Sequence, residues 1–445
     1  MHLDDVLAQV HEHHTQFVRF LYCDNGGIIR GKSAYYPTLR DRLVSGIGLT
    51  VAMQAMNSLD QLQDVEGMGP VGEVRLVPDL NTYRSLPYAP GSAVVLTSLV
   101  DLDGASWGGC PRDFLYRIER SAAAHGIAIQ ASIENEFSLI TEEGKPWDDT
   151  LCFSSQGMLK TDRFVAEVAD ALALQGIQME QYYPELGAGQ HEISVHHAPL
   201  MEAASQQILV RETLRAIAER YGVRVSFAPK PFLDQAGNGG HIHFSAVDAE
   251  GRNVFYGAQD SYHLSTLGYQ FMGGIFHHLP ALLGLTTPTV NSYQRLTPDT
   301  WSSSYACWGP DNREAPLRIA SPMRTRVADS INVEFKPADL AANPYLALGA
   351  LVAAGLDGID RNLDPGEPLL TNPQQLSNDE RARQGIRRLP DSLDAALDAL
   401  ELDSVLMGAL GPMLSSSYLA VKRSEARFYR DLTPEDIAWK HRFKY

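Results

Sequence analysis

Cysteine is scarce in this sequence, and its placement points to neither disulfides nor zinc. The four cysteines of the 445-residue chain lie far apart and form no CxxC pair, whereas disulfide frameworks and zinc knuckles need regularly spaced or paired cysteines. The first 22 residues are interrupted by acidic residues and histidines, so they lack the apolar core of a signal peptide. These absences together predict a protein of the reducing cytoplasm.

Long hydrophobic runs are absent too. The most apolar segment, residues 341–355, contains Asn343 and Pro344, and it is shorter than the roughly 20 apolar residues that span a bilayer as a helix. This pattern is typical of a buried core helix. No membrane partner is therefore expected.

Basic residues are outnumbered, with 37 Lys and Arg against 54 Asp and Glu, which gives a formal net charge of −17. Such a charge disfavours nonspecific binding to nucleic acid or to an anionic membrane surface. The composition is otherwise that of a globular protein, since 44% of the residues are hydrophobic and 20% are charged. At this length we expect more than one domain.

The order of apolar patterns predicts two domains. Between residues 16 and 100, short apolar runs separated by turns favour strands. These runs are 17–21, 74–77 and 93–96. After a turn, Pro111 begins a helical pattern, and strand-like runs then alternate with longer helical ones. They are strand-like at 128–140, 192–197 and 241–246 and helical at 161–175 and 201–221. We predict a strand-rich domain over 1–106 and an α+β catalytic domain over 107–445.

Two segments bring glutamates together. Glu134 and Glu136 lie two residues apart in a strand pattern, which places both carboxylates on one face, although a solvated strand face is the commoner meaning of such a pair. Glu185 and Glu192 flank a turn rich in glycine, which a bound group can approach closely. An ordinary loop with incidental acids is an equal alternative there.

Two further segments alternate polar residues along predicted strands. His241 and His243 directly follow the glycine-rich loop 237–240, which favours a metal ligand beside a phosphate or amino acid; a hydrogen-bonded histidine pair in the core or at the surface is the alternative. Glu334 and Lys336 also lie two residues apart on a predicted strand. An exposed ion pair is the commoner explanation for such a pair.

Arginine and tryptophan are concentrated in residues 291–319. Guanidinium groups suit carboxylates and phosphates because they donate two parallel hydrogen bonds, while solvated surface arginines are the alternative. The residues concerned are Arg295, Trp301, Trp308, Arg313 and Arg318. Hard oxygen ligands, imidazoles and cations together are the mixture expected where Mg²⁺ or Mn²⁺ orients a nucleotide phosphate.

In this order, six segments resemble the glutamine synthetase superfamily across nearly the whole chain, and most closely its type I branch and the glutamate-amine ligases within it. The segments are Glu134-Asn135-Glu136-Phe137, Gly189-Gln190-His191-Glu192-Ile193, Phe227-Ala228-Pro229-Lys230-Pro231, Gly239-Gly240-His241-Ile242-His243, Pro288-Thr289-Val290-Asn291-Ser292-Tyr293 and Ala342-Asn343-Pro344-Tyr345-Leu346-Ala347-Leu348. Six motifs in a fixed order make the resemblance specific.

The resemblance implies an α+β fold with an N-terminal β-grasp domain and a catalytic domain built on an antiparallel half-barrel of strands flanked by helices. It also implies a homo-oligomer, expected as a dodecamer of two hexameric rings, with active sites between neighbouring subunits. ATP and two or three Mg²⁺ or Mn²⁺ ions would be bound in each site. The γ-carboxylate of L-glutamate would attack the γ-phosphate of ATP, and an amine would then capture the acyl phosphate.

The resemblance further implies a role for each matching residue. One metal would be held by Glu136, Glu185 and Glu192, and the second by Glu134, His241 and Glu334. The glutamate substrate would contact Gly237 and Arg295. The nucleotide would contact His243, Ser245 and Asn332. Phosphate transfer would use Arg313, Arg318 and Lys336.

The sequence departs from the family pattern where ammonia binds. Trp301 stands where ammonia-using relatives carry a glutamate that takes a proton from ammonium; an indole accepts no proton, but its face can hold an alkylammonium. The Asp-Gly-Ser-Ser stretch that a neighbouring subunit contributes is replaced in residues 48–53. Asn332 and Lys336 stand where relatives carry arginines, and lysine keeps the charge but loses the fork. No adenylylation tyrosine is found near 386–390.

These features predict an ATP-dependent ligase that joins the γ-carboxylate of L-glutamate to an organic mono- or polyamine, with Trp301 contacting the amine. One alternative is a true glutamine synthetase that uses ammonia, with Asp299 as a substitute base. A catalytically silent ring protein is another, but clustered carboxylates repel one another at a cost in stability that a scaffold has no reason to bear. The identity of the amine and the ring size are left open.

Overall fold

The chain begins with a five-stranded sheet covered by two helices. The computed structural model describes residues 1–445, and the first elements are α1 (Leu3–Glu12), β1 (Phe17–Cys23), β2 (Ile29–Tyr35), α2 (Leu39–Ser45), β3 (Ile47–Thr50), β4 (Glu73–Ser85) and β5 (Ser92–Val100). The strand order is β2-β1-β5-β4-β3, with β1 and β5 parallel. All three apolar runs predicted as strands lie in this sheet.

This first sheet has its own small core. Alternate residues of a strand point to opposite faces, so Val18, Phe20 and Val95 share one side and are fully buried there. Val6 of α1 and Leu39 of α2 belong to the same apolar cluster. The two helices therefore stabilise one face of the sheet.

Two further sheets and most of the helices follow. The elements are α3 (Pro111–Ala124), β6 (Ala128–Ile133), β7 (Asn135–Ile140), α4 (Ser155–Leu174), β8 (Met179–Pro184), β9 (Gln190–Val195), β10 (Ala198–Pro199), α5 (Leu200–Arg220), β11 (Arg224–Ser226), β12 (Ile242–Val247), α6 (Thr266–Thr286), α7 (Ser292–Arg295), β13 (Trp308–Pro310), β14 (Leu317–Ile319), α8 (Val327–Ser330), β15 (Val333–Phe335), α9 (Pro344–Arg361), α10 (Asn378–Arg383), α11 (Leu393–Leu402), α12 (Ser404–Leu410), α13 (Pro412–Tyr429) and α14 (Pro434–Arg442). The strand orders are β10-β6-β12-β15-β14-β13 and β11-β7-β9-β8. The α+β class is therefore confirmed.

The six-stranded and the four-stranded sheet separate at Glu134. The sequence predicts one continuous strand over 128–140, but β6 pairs with β12 in one sheet and β7 pairs with β9 in the other. Between them, the backbone N–H of Glu134 donates to the carbonyl of His241 at 2.9 Å. The prediction of a single strand is wrong, because the chain passes from one sheet to the next at this residue.

The apolar segment near residue 341 is the buried helix that the sequence predicts. Pro344 occupies the first turn of α9, and the Asn343 side chain caps the helix by accepting hydrogen bonds from the Tyr345 and Leu346 N–H groups. The Asn343 amide also donates to the carbonyls of Cys23 and Asp24 at 3.0 and 3.1 Å. One side chain thus begins α9 and ties it to the end of β1.

None of the helices alone has the length and hydropathy of a membrane span. Only α12 and α13 taken together are long and apolar enough, and these two helices meet at a bend of 107°.

The C-terminal residues fold back into the core. The carbonyl of Tyr445 accepts from the Phe227 N–H at 3.0 Å, and its hydroxyl donates to the Gly26 carbonyl at 2.9 Å. His441 lies between the rings of Tyr429 and Tyr445, with centroid distances of 4.6 and 5.8 Å. The tail therefore buries an imidazole among aromatic rings.

Acidification is expected to destabilise the protein through His441. Burial lowers the pKa of this histidine from 6.5 to about 4, so between these values the unfolded chain binds the additional proton and stability falls as the pH falls. The contribution is about 2 kcal/mol between pH 7 and pH 5. Scanning calorimetry should show a Tm decrease roughly 2–4 °C larger for the wild type than for His441→Gln. Equal decreases in both proteins would contradict this account.

Candidate active site

A cluster of glutamates lies where the six-stranded and the four-stranded sheet separate. Glu136 on β7 is the direct cross-strand partner of Glu192 on β9, and Glu185 follows β8 in the turn that leads into β9. The Glu185 N–H donates to the Gln190 carbonyl at 2.8 Å, and Gly189 has a φ of +67°, which glycine adopts without strain. The glycine-rich segment is therefore a tight hairpin with a glutamate on each side.

The carboxylates of this cluster repel one another. Burial, together with the charges of Glu136 and Glu134, raises the pKa of Glu185 to about 7. Burial followed by the same two charges also holds the pKa of Glu192 well above its usual range. Like charges directly opposite on neighbouring strands are destabilising. A bound divalent cation would relieve this repulsion, so the donor set fits a hard metal ion.

Three carboxylates converge on one nitrogen of His241. Its Nδ1 lies 3.0 Å from Glu134, 3.6 Å from Glu136 and 3.5 Å from Glu334. Its Nε2 lies 3.1 Å from a nitrogen of Arg295, and since a guanidinium only donates, Nε2 accepts that hydrogen bond. Arg295 therefore fixes the imidazole with Nδ1 towards the acids.

His243 also faces this cluster. Its Nε2 lies 3.0 Å from Glu134 and 4.0 Å from Glu334, and ligand atoms of these three residues all lie within 4.8 Å of one another, close enough for one metal ion. Its Nδ1 lies 2.8 Å from the Asn332 side-chain oxygen. The resemblance implies nucleotide contact for His243 and Asn332, whereas the geometry also makes His243 a candidate metal ligand oriented by Asn332.

Two cations balance Glu334. One carboxylate oxygen lies 2.5 Å from Arg318 and the other 3.1 Å from Lys336. Burial raises the pKa of Glu334, but Lys336 and His243 outweigh it and hold this pKa at about 2. Lys336 and Glu334 are 3% and 1% exposed, so the alternative of an exposed ion pair is wrong. The pair lies inside the site.

Arg295 is a buried cation without a carboxylate partner. It is 4% exposed, and its Nη1 donates to the Ala338 carbonyl at 3.0 Å. Burial lowers its pKa, which indicates that the charged form is incompletely compensated in the protein alone. An uncompensated guanidinium next to the glutamate cluster is suited to the carboxylate of a ligand.

Replacing Gly239 with alanine is expected to reduce kcat/KM by about tenfold or more. A Cβ there would lie 2.6 Å from both Arg295 and His241, closer than packed atoms approach, so both side chains would have to move. Steady-state kinetics would measure the loss. Gly69, where an added Cβ has no atom within 4 Å, provides the matched control, and equal kinetics for the two variants would contradict the prediction.

Four residues named from the sequence make no hydrogen bond or ion pair with the carboxylates or histidines of this cluster. Arg313 is exposed in the turn before β14. Ser245 is half-buried on β12, two residues from His243 and hence on the same face. Trp301 is 52% exposed, in a loop where its φ is +54°. Asp299, the alternative base, accepts a hydrogen bond from Asn372 at 2.8 Å.

Three residues without a predicted role contact residues that the sequence assigns to the site. The Gln190 amide donates to the Gly237 carbonyl at 2.9 Å and lies 3.3 Å from Glu136. The Tyr183 hydroxyl donates to Glu192 at 2.5 Å. Glu314, 7% exposed, accepts from the Trp301 N–H at 2.8 Å. Gln190 lies within a recognised motif, but the tyrosine and the glutamate carry no signal in the sequence pattern.

Comparison with known proteins agrees with this geometry. Residues 3–107 match the family model "Glutamine synthetase N-terminal domain" and residues 108–440 match "Glutamine synthetase, catalytic domain". The gamma-glutamylpolyamine synthetase GlnA3 of Streptomyces coelicolor is 36% identical over 95% of this chain and 92% of its own. A glutamine synthetase of Halobacterium salinarum is 32% identical over 96% of this chain and 93% of its own.

Solved structures extend the similarity to the whole fold. A structure described as a novel glutamine synthase homolog superposes with a TM-score of 0.87 at 34% identity, covering 97% of this chain and 99% of the other. A GmaS/ADP complex superposes with a TM-score of 0.86 at 28% identity, covering 96% and 97%. With both family models matched along nearly its whole length, the chain belongs to the glutamine synthetase family of ligases.

Proposed function

We propose that this family member is a glutamate-amine ligase, which uses ATP to join the γ-carboxylate of L-glutamate to an organic amine. The observation that carries the proposal is the contrast between the two halves of the site. The acidic cluster and its cations are complete, while the loop position that would receive a proton from ammonium holds the half-exposed indole of Trp301.

Activation of glutamate would use the buried cluster. Glu136, Glu185 and Glu192 would hold one Mg²⁺ or Mn²⁺ ion, and Glu134, Glu334 and the histidines a second. Bound metal neutralises charge on the transferred phosphoryl group. Arg295 would hold the α-carboxylate of glutamate, and Arg318 and Lys336 would stabilise the charge that develops as the γ-carboxylate attacks ATP.

The second half would require a neutral amine to attack the γ-glutamyl phosphate. An indole face attracts an alkylammonium and packs against its carbon substituent, whereas it can neither accept the proton of ammonium nor pair with its charge. The similarity to a gamma-glutamylpolyamine synthetase supports an organic amine. The similarity to glutamine synthetases keeps ammonia as the rival substrate.

The expected result with the purified protein is that kcat/KM for at least one organic amine exceeds that for ammonium by about tenfold or more. Phosphate release would be measured with glutamate, ATP, Mg²⁺ and a panel of ammonium, methylamine, ethanolamine, isopropylamine, aniline and putrescine. Trp301→Glu is the companion variant, because a carboxylate there should shift the preference towards ammonium. Efficient turnover with ammonium alone would favour a true glutamine synthetase, and no turnover with any amine would favour a silent homologue.

The proposal also includes the oligomeric state and the cellular location of the enzyme. It includes a homo-oligomer with sites between subunits, expected as a dodecamer of two hexameric rings, and a cytoplasmic location. Sedimentation velocity of the purified protein would measure the assembly, and a monomer with full activity would contradict sites shared between subunits.

A further inference from the structure

We infer that Glu314 is a positioning residue that fixes the loop carrying Trp301 and thereby sets how tightly the amine is bound. The inference rests on the proposed function, since it assigns the amine to the side of the site where Trp301 lies. It goes beyond that function by naming a second residue on which amine selectivity depends.

The contact between Glu314 and the loop is direct. A carboxylate oxygen of Glu314 accepts the backbone N–H of Trp301 at 2.8 Å, and the side chain is only 7% exposed. The backbone of Glu314 is itself fixed, because its N–H donates to the Asn312 side chain at 3.1 Å. The carboxylate therefore forms a rigid attachment point beneath an otherwise exposed residue.

The loop needs such an attachment because its backbone is unusual. Asp299, Trp301 and Ser303 all have positive φ, at 60°, 54° and 70°, and residues with side chains rarely adopt this left-handed region. Every second residue here has positive φ, so the loop conformation is costly unless hydrogen bonds from outside the loop stabilise it. The Trp301 N–H is held by Glu314.

Charge sets Glu314 apart from an ordinary loop cap. It forms no ion pair with any basic side chain, and burial raises its pKa, with Asp299 raising it further while the Trp301 N–H and Lys336 lower it. Lys336 is one of the charges that act on it, and Lys336 in turn contacts Glu334 at 3.1 Å. A buried carboxylate without an ion pair is costly to keep, which favours a role in holding the loop over simple packing.

The test separates the hydrogen bond from the charge. Glu314→Gln keeps an oxygen that accepts from the Trp301 N–H, whereas Glu314→Ala removes it. We expect Glu314→Ala to raise the KM for the amine by about tenfold while glutamate-dependent ADP release without amine stays unchanged. Glu314→Gln should stay within about twofold of the wild type. Adding Trp301→Ala to Glu314→Ala should cost nothing beyond Trp301→Ala alone, because both act through one loop.

Hydrogen exchange provides a measurement that does not depend on which amine is used. Faster exchange in the peptide covering residues 297–305 is expected for Glu314→Ala and not for Glu314→Gln. Asp248→Ala is the matched control, since Asp248 caps the exposed turn at Arg252 at 2.9 Å; it should speed exchange only in its own turn and leave the amine KM unchanged.

Several outcomes would overturn the inference. Unchanged exchange in Glu314→Ala would show that the loop does not depend on this carboxylate, and equal losses in the Gln and Ala variants would assign the effect to charge. If only ammonium is turned over, the glutamate-amine ligase proposal fails while the exchange result, with the ammonium KM in place of the amine KM, still decides the role of Glu314.

Discussion

Replacing Glu192 with glutamine is expected to reduce activity by roughly 10³-fold while raising the thermal stability of the metal-free protein. Glu192 directly faces Glu136 across β9 and β7, and burial together with neighbouring carboxylates raises its pKa. A carboxyl whose pKa is raised in the folded state makes the fold less stable at neutral pH, where the same carboxyl is ionised in the unfolded chain. Glutamine removes the ionisable group but keeps an oxygen that accepts the hydrogen bond of Tyr183.

Scanning calorimetry and kinetics together test whether the variant loses activity and gains stability. In EDTA the variant should melt a few degrees above the wild type, since about 1–2 kcal/mol of repulsion is removed. Added Mg²⁺ should raise the Tm of the wild type more than that of the variant, because only the wild type has the full set of ligands. Glu180→Gln, at an exposed position on the neighbouring strand β8, is the control. A metal-free variant that is less stable, or one that keeps activity, would contradict a metal role for Glu192.

Much of the fold follows from local patterns in the sequence. The runs at 17–21, 74–77 and 93–96 form β1, β4 and β5, because alternation between buried and exposed faces is sufficient to specify a strand. Helices α3 and α9 begin at the prolines that mark their first turns. The hairpin between Glu185 and Glu192 likewise follows from its glycines.

The remaining features depend on contacts that a local pattern does not contain. The break at Glu134 is invisible in the sequence because β6 and β7 continue the same apolar alternation while pairing with different strands. Arg313 and Arg318 have the same residue type and lie in one segment, yet only Arg318 reaches Glu334. The short strand β14 decides which of them points inward.

Burial is the second property that the sequence leaves undetermined. An alternating Glu334 and Lys336 is most often a surface ion pair, and only the position of β15 between β12 and β14 shows that both are buried. Glu314 belongs to the same class, because nothing in its neighbouring residues distinguishes it from an exposed loop acid. Site residues held by recurrent motifs were predictable, whereas those recruited by packing were not.

Arg295 provides the second large expected effect, in the binding of glutamate. Replacing it with lysine should raise the KM for glutamate by about 30- to 100-fold, because one of the two parallel hydrogen bonds to a carboxylate is lost and a charged hydrogen bond contributes about 2–3 kcal/mol. Lysine is the informative replacement because it keeps a cation near His241. Removal of the charge by alanine would also leave the His241 Nε2 without its donor and disturb the metal site.

The position of Arg295 predicts which constants should stay unchanged. Its contacts are the Ala338 carbonyl, His241 and, at 3.5 Å, the Lys336 carbonyl, so the KM for ATP should change less than about threefold in Arg295→Lys. Arg252→Lys, on an exposed turn where Arg252 pairs with Asp248, controls for the chemical change itself. If the KM values for glutamate and ATP rise together, the effect comes from a disturbed metal cluster and Arg295 does not bind the substrate. A rise confined to glutamate assigns the buried guanidinium to a carboxylate of the glutamate substrate.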